Sequence, residues 1–193
     1  MKTEFEATFY PIDKDRLRQK LKNVGAKLSK PEFMLKRKTY EPPPDIKKGW
    51  LRVRDEQDQI TLAYKKIEGQ KNKISDQKEI EIMVDDFEKA CQFIEVIGCK
   101  QKSYQENTRE IWHYQGLEIC LDTWPGLKPL IEIEGQNEND VKSLALKLGF
   151  DWQKVIFDCV ALLYLNELSI PRKVVQRIPV LTFDTDLTAY MEK

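Results

Sequence analysis

Polar and apolar positions alternate most strictly between Trp50 and Lys66, the stretch WLRVRDEQDQITLAYKK. Successive side chains of a strand point to opposite faces, so period-two alternation predicts a strand. Leu51 and Val53 fall on one face, Arg52 and Arg54 on the other. Beyond a polar turn, Leu62 and Tyr64 alternate with Thr61, Ala63 and Lys65. The pattern predicts a hairpin whose basic face carries Arg52, Arg54 and Lys65. The opening residues behave alike, setting Glu4, Glu6 and Thr8 against Phe5, Ala7 and Phe9. From Asp13 the period becomes helical, with a stripe of Leu17, Leu21 and Val24 that closes at Gly25. Met34 to Tyr40 is predicted as a cation-rich strand. Glu41 to Lys48 is predicted as a loop, because its three prolines cannot join a ladder. Glu68 to Gln77, polar and Gly-containing, is predicted as a mobile connection.

The second half restates the first. Glu79-Ile80-Glu81-Ile82 alternates as a strand. A helix then starts at Asp85 or Asp86 and runs through Phe87, Ala90, Cys91 and Ile94 to Gly98. Strands are predicted at Asn107 to Tyr114, Leu117 to Thr123 and Leu130 to Glu134. They present Arg109, then Glu118, Cys120 and Asp122, then Glu132 and Glu134 on one side. A helix over Asp140 to Leu148 again ends at a glycine, Gly149. A strand with Glu-x-Glu leading into a helix that ends near glycine thus occurs three times. Phe157 to Leu168 is apolar almost all round and predicts a buried helix stopped by Pro171. Val174 to Arg177 predicts one more helical turn, and Pro179 to Tyr190 a surface wrap; no chemistry is assigned to this tail. The expectation is one domain over residues 1–193, with a core at 2–150 and a helical tail at 151–193.

The 193 residues are 41% hydrophobic and 33% charged, as in a soluble globular protein large enough for a sizeable core. Lys plus Arg and Asp plus Glu each number 32, and this zero balance argues against general binding to nucleic acid or an acidic membrane. Any strong field must be local. No apolar run approaches a membrane span, and the charged start MKTEFEATF does not read as a signal peptide. Cys91, Cys99, Cys120 and Cys159 form no CxxC pair and suit a reducing cytoplasm, where they serve better as buried small hydrophobes than as metal ligands. His113 is the single histidine, which disfavours a His-centred triad or zinc site.

The predicted strands gather charge on their polar faces: Arg52, Arg54, Lys65 and Arg109 against Glu4, Glu6, Glu79, Glu81, Glu118, Asp122, Glu132 and Glu134. Their other faces are apolar and suited to cover by amphipathic helices. A closed barrel with helices outside would turn the charged faces into a lumen. A lumen of both signs suits an anion bound together with a hard cation. Carboxylate oxygens fit Mg²⁺ or Mn²⁺, Arg and Lys fit phosphate, and polyphosphate with a divalent metal satisfies both.

In order and spacing these segments resemble the CYTH family of triphosphate tunnel metalloenzymes, which includes class IV adenylyl cyclases, thiamine triphosphatases and inorganic triphosphatases. The family's ExExK, LRxR, Lys, KxR, Asp and ExE strands find counterparts in Glu4-Phe5-Glu6-Ala7-Thr8, Leu51-Arg52-Val53-Arg54, Lys65, Asn107-Thr108-Arg109, Asp122 and Glu132-Ile133-Glu134. The resemblance implies an α+β fold, an eight-stranded antiparallel β-barrel tunnel with a charged lumen and helices packed outside. It implies metal on Glu4, Glu6, Asp122, Glu132 and Glu134, and phosphate on Arg52, Arg54, Lys65 and Arg109, with Lys128 reaching the tunnel mouth. Glu79, Glu81 and Glu118 become partners that neutralise the basic side chains. Two positions depart from the family pattern, Thr8 and Asn107, each replacing a lysine. Lys36, Arg37 or Lys38 on the neighbouring strand are the candidates to replace the missing charge. The expected activity is metal-dependent hydrolysis of a triphosphate such as ATP, thiamine triphosphate or tripolyphosphate. The alternatives are cyclisation of ATP to cyclic AMP, or a catalytically weak polyphosphate-binding module, and a homodimer is the assembly to test for.

Overall fold

The opening residues close the sheet. In the computed structural model, which describes residues 1–46, 48–67 and 74–192, they form β1 (Lys2–Thr3) and β2 (Phe5–Phe9), broken at Glu4. Strands β3 (Lys27–Glu41), β4 (Trp50–Asp55), β5 (Ile60–Ile67) and β6 (Gln77–Val84) follow. Next come β7 (Lys100–Tyr114), β8 (Leu117–Thr123), β9 (Leu130–Gly135) and β10 (Val180–Leu181). Their order is β1-β6-β5-β4-β3-β7-β8-β9-β2, antiparallel throughout, with β10 parallel to β7 off this path. Because β1 and β2 are consecutive yet stand at opposite ends of the order, the sheet curls into a barrel. Taken as one kinked strand, they make up the eight that the sequence predicts.

The helices are α1 (Lys14–Val24), α2 (Phe87–Val96), α3 (Glu138–Lys147), α4 (Ala161–Leu168) and α5 (Arg172–Val175). Each of the first three is capped by an Asx side chain, Asp13, Asp86 or Asn137, that accepts a backbone N–H three residues on. Leu17 and Leu21 of α1 and Val141 and Leu144 of α3 pack on Ala7, Ile119, Ile131 and Ile133, the outer faces of β2, β8 and β9. Burying each such side chain stabilises the fold by about 1.5–3 kcal/mol. α2 covers Tyr40 and Val53 of β3 and β4 through Phe87, Cys91 and Ile94. The tail packs Leu163, Tyr164 and Val175 against Trp124, Leu127 and Leu130. Inside the barrel, Phe33, Leu35, Ile111 and Cys120 form a small apolar plug.

Three predicted boundaries move. β3 starts at Lys27 rather than Met34, and β7 at Lys100 rather than Asn107; the two pair along nearly their full lengths. Lys27 to Pro31 does not alternate, so only the ladder makes it a strand. Register slips at Leu28/Lys30 and Lys30/Phe33 accommodate Pro31, which has no N–H to donate. In the tail, residues 157–160 are not helical: Ile156 exchanges backbone hydrogen bonds with Thr8, and α4 begins at Ala161. Of the connection predicted as mobile, residues 68–73 lie outside the described ones, Ile74–Asp76 is a 3₁₀ turn and Gln77 starts β6.

Candidate functional site

Strand pairing decides which charges share the interior. In an antiparallel ladder directly opposed residues point to the same face. Arg37 opposes Arg54, and Trp50 opposes Lys65, which opposes Glu79. Arg109 opposes Asp122, Glu118 opposes Glu134, and Glu134 opposes Glu6. All of these side chains turn inward. They surround a lumen of about 650 Å³ whose lining includes Glu4, Glu6, Arg37, Arg52, Arg54, Lys65, Arg109, Glu132 and Glu134.

The acids gather at one part of this lumen. Glu4, Glu6 and Glu134 each offer a carboxylate oxygen, and the three oxygens lie within 4.8 Å of one another. Burial, with the neighbouring Glu132 and Glu4 charges, pushes Glu6 well above the usual carboxylate range. Burial and Glu4 push Glu134 up to about 7. Glu4 goes the other way: burial raises it, but Lys65, whose Nζ donates at 2.9 and 3.1 Å, brings it below its ordinary value. Like charges this close repel unless a proton or a cation sits among them. Three hard oxygen donors suit Mg²⁺ or Mn²⁺, so the group fits the metal that the sequence implies.

The bases gather beside them. Arg52 Nη2 donates to Glu79 at 3.3 Å and Glu81 at 3.0 Å, and Arg54 Nη2 to Glu81 at 3.4 Å. Arg109 grips Asp122 with Nε at 2.8 Å and Nη2 at 2.6 Å, and reaches Glu132 at 2.7 Å. Asp122 lifts Arg109 well above the usual arginine value, outweighing burial. Arg37 shows the reverse. Burial, followed by the Arg52, Arg109 and Arg54 charges, holds it well below that value. Its Nη2 donates to Asn107 Oδ1, its guanidinium lies 4.5 Å over the Trp124 ring, and its buried Nε has no partner among the described residues. Arg52 Nε is likewise buried without a partner. Such a crowd of cations with buried, unpartnered donors has the chemistry to take an anion.

Most of the sequence-predicted residues therefore converge, but they divide differently. Glu4, Glu6 and Glu134 form the acidic triad, whereas Glu132 and Asp122 are engaged by Arg109. Asp122 is fully buried behind the lumen surface. Lys128 is exposed in the β8–β9 loop and stands outside the lumen lining. Glu79 and Glu81 neutralise Lys65, Arg52 and Arg54, while Glu118 lines the lumen next to Cys120. Of the three candidate substitutes, Arg37 alone points inward. Lys36 and Lys38 face α2, where Lys38 pairs with Glu88 at 3.0 Å and Lys36 lies 5.3 Å over Phe87. The register with Arg54 separates them, and alternation from Arg37 would have done so in the sequence once the strand was paired. Glu56, which ties down Arg54 at 2.9 Å, and the tail residues Cys159, Tyr164 and Gln176, which line one end, carried no readable signal.

The CYTH domain model matches residues 3–153. A Methanocaldococcus jannaschii protein, provisionally named as an adenylate cyclase, is 31% identical over 126 residues, covering 63% of this chain and 70% of that one. A Vibrio parahaemolyticus structure with the same provisional name superposes with a TM-score of 0.67 at 13% identity, covering 80% of this chain and 92% of that one. A Hippeastrum structure, provisionally named an adenylyl cyclase and described as having a dominant triphosphatase activity, superposes with a TM-score of 0.53 at 14% identity over 82% of this chain and 91% of that one. The two structural likenesses are of fold.

Proposed function

The chain belongs to the CYTH domain family, and from that premise we propose that it is a divalent-metal-dependent phosphohydrolase acting on a triphosphate bound in the barrel. One observation carries this reading: the cluster of buried Arg37, Arg52 and Arg109 with half-buried Arg54 shares one lumen with the Glu4, Glu6 and Glu134 triad. A triphosphate brings anionic oxygens that would compete with Glu79, Glu81 and Glu132 for the guanidinium donors. A cation on the triad would draw charge from those same oxygens.

The chain's own residues divide the remaining work. Arg37 and Arg52 line the lumen, and each has a buried Nε–H without a partner among the described residues. Arg109 is held rigid by Asp122, so it meets the substrate without reorganisation. Lys65 stands between Glu4 and Glu79, bridging the acidic and basic halves. Water attack on the terminal phosphorus breaks the phosphoanhydride bond and yields inorganic phosphate and a diphosphate. Trp124 carries Arg37 on its ring and Trp112 lies in the outer core, so neither serves as a stacking platform for a base. Trp50 also lines the lumen, so the tryptophans do not separate hydrolysis from cyclisation.

The second reading is an adenylyl cyclase, favoured by the name of the Methanocaldococcus jannaschii relative. There the ribose 3′-hydroxyl attacks the α-phosphorus and diphosphate leaves. One panel separates the two: ATP, thiamine triphosphate and tripolyphosphate, each with Mg²⁺ or Mn²⁺, assayed for phosphate and cyclic AMP together. Phosphate release without cyclic AMP supports the hydrolase. Cyclic AMP with equimolar diphosphate supports the cyclase, and neither product, with triphosphate still bound, reduces the chain to a binding module.

A further inference from the structure

The tail gives the lumen a wall of its own. Past residue 153, where the match to the family domain stops, Ile156 exchanges backbone hydrogen bonds with Thr8 of β2. Val180 and Leu181 then pair with Tyr104 and Gln105 of β7, and Ser103 Oγ donates to the Ile178 carbonyl at 2.6 Å. Arg177 reaches Glu41 of β3 at 2.8 Å. Anchored on β2, β3 and β7, the tail presents Val160, Val175 and Gln176 to the lumen. Gln105 and Thr39 line it on the barrel side. Gln105 opposes Arg37 and Thr39 opposes Arg52, so this end adjoins the arginine cluster. The acids lie toward the other end, where Glu134 opposes Glu118, and Glu118 opposes His113 near the close of β7. Thr39 opposes Ser103 while Tyr40 opposes Gln101, which leaves Lys102 as the extra residue of a bulge. A bulge re-aims a side chain, and Lys102 lines the lumen. Among the described residues it makes no ion pair; Glu41 goes to Arg177 instead.

We propose that the substrate is a nucleoside triphosphate whose nucleoside lies at this end, against Gln105, Gln176, Val160 and Val175. The inference rests on the triphosphate reading above and holds for either reaction. A triphosphate that runs from the acidic triad across the arginines ends beside Gln105 and Thr39. Whatever it carries there meets two amides, a hydroxyl and the aliphatic side chains of Val160 and Val175. An amide both donates and accepts, which suits the edge of a base and the hydroxyls of a ribose. The aliphatic groups suit the face of a base. The other two substrates fit less well. Tripolyphosphate has nothing to set against the apolar groups. The thiazolium of thiamine carries a positive charge, which Lys102, Arg37 and Arg52 repel. Asp158, a carboxylate at this end, is engaged by Arg172.

Turnover of ATP, thiamine triphosphate and tripolyphosphate with Mg²⁺, compared as ratios of kcat/KM, tests this. In the wild type ATP should exceed thiamine triphosphate by about tenfold or more, and Lys102→Gln should narrow that gap. Gln176 is half-buried on the short α5. Gln176→Trp fills the subsite and should lower the ratio of ATP to tripolyphosphate by about tenfold or more, through KM for ATP. Gln176→Ala removes only the amide and should lower that ratio by about threefold or more. Circular dichroism checks folding, and if the larger side chain disturbs it, Gln176→Ala decides. No turnover of any of the three would defeat the enzymatic reading alone; calorimetric titration then gives the same ratios as dissociation constants. Absence of binding as well would overturn both. A wild type that prefers thiamine triphosphate, or folded Gln176 variants that keep the wild-type ratio, would overturn the nucleoside subsite and leave the triphosphate reading standing.

Discussion

Arg37 is a buried guanidinium with three cationic neighbours and one neutral hydrogen-bond partner, Asn107. Its cost in the ligand-free protein and its use toward phosphate should separate on substitution. Arg37→Met is expected to leave the metal-free melting temperature unchanged or higher, since the repelled charge is gone. The same change should weaken tripolyphosphate binding by roughly 10- to 100-fold, as loss of a charge-assisted bond of about 1.5–3 kcal/mol would. Calorimetric titration beside thermal melts checks both, and affinity equal to wild type would remove Arg37 from the phosphate path. Asn107→Lys, which restores the family's residue, should lower the melting temperature instead, because Arg37 already fills that space. Glu134 shares the pH dependence with Glu6. Its carboxyl, pushed up to about 7, lies above the unfolded value of about 4.3. The stability it contributes by holding a proton is complete below that unfolded value and is lost as pH rises through about 7. A divalent cation replaces the proton, so the rise in melting temperature produced by Mg²⁺ should be larger at pH 8 than at pH 6. In Glu134→Gln that difference should shrink, with Glu6 supplying what remains; an unchanged pH trend would exclude Glu134 as a ligand.

At the scale of elements, the pairing of β3 with β7 and of β7 with β8 puts the cations in place. Arg37 points inward because it opposes Arg54 on one side and Gln105 on the other. Lys36 and Lys38, one residue away, are turned to α2 by the same ladder. Across β7 and β8, Arg109 and Asp122 form a two-pronged pair with Asp122 wholly buried. Removing one member leaves the other charge buried and under-paired, a loss of about 3–5 kcal/mol. Asp122→Ala should therefore reduce unfolding free energy in urea by about that amount. Excess tripolyphosphate should recover part of it by supplying anionic oxygens to Arg109. A loss below about 1 kcal/mol would mean that the pair contributes little to stability.

For the whole molecule, barrel closure depends on a very short segment. β1 contributes two residues, and Glu4, between β1 and β2, both belongs to the acidic triad and accepts from Lys65 of β5. Site and seam are one structure. Filling the lumen should tighten both, and a cation and an anion bound side by side relieve opposite excesses of charge. Mg²⁺ with tripolyphosphate should raise the melting temperature by more than the sum of the two separate shifts. Strict additivity in differential scanning fluorimetry would show that the acidic and basic clusters act as separate sites.

The sequence by itself determined the alternating strands, the capped helices and most of the lumen charges, though not Lys2, Glu56, Lys102 or Asp158. These follow from local periodicity and from motifs such as Leu51-Arg52-Val53-Arg54 and Glu132-Ile133-Glu134. It also placed the two departures, Thr8 and Asn107. It did not determine the length of β3 or β7, because Lys27 to Pro31 becomes a strand against Ile111 to His113, and Lys100 to Glu106 against Lys36 to Glu41. Nor did it divide the acids. Glu132 and Glu134 stand two residues apart on one face and look equivalent, yet Arg109 takes the first and the Glu4–Glu6 pair meets the second. Charges on different strands find their partners only when the barrel closes, because which oxygen meets which guanidinium depends on register and curvature across the sheet. The tail's place at one end of the lumen was settled in the same way. Its apolar residues show that it packs, but the open faces of Trp124, Leu127 and Leu130 decide where.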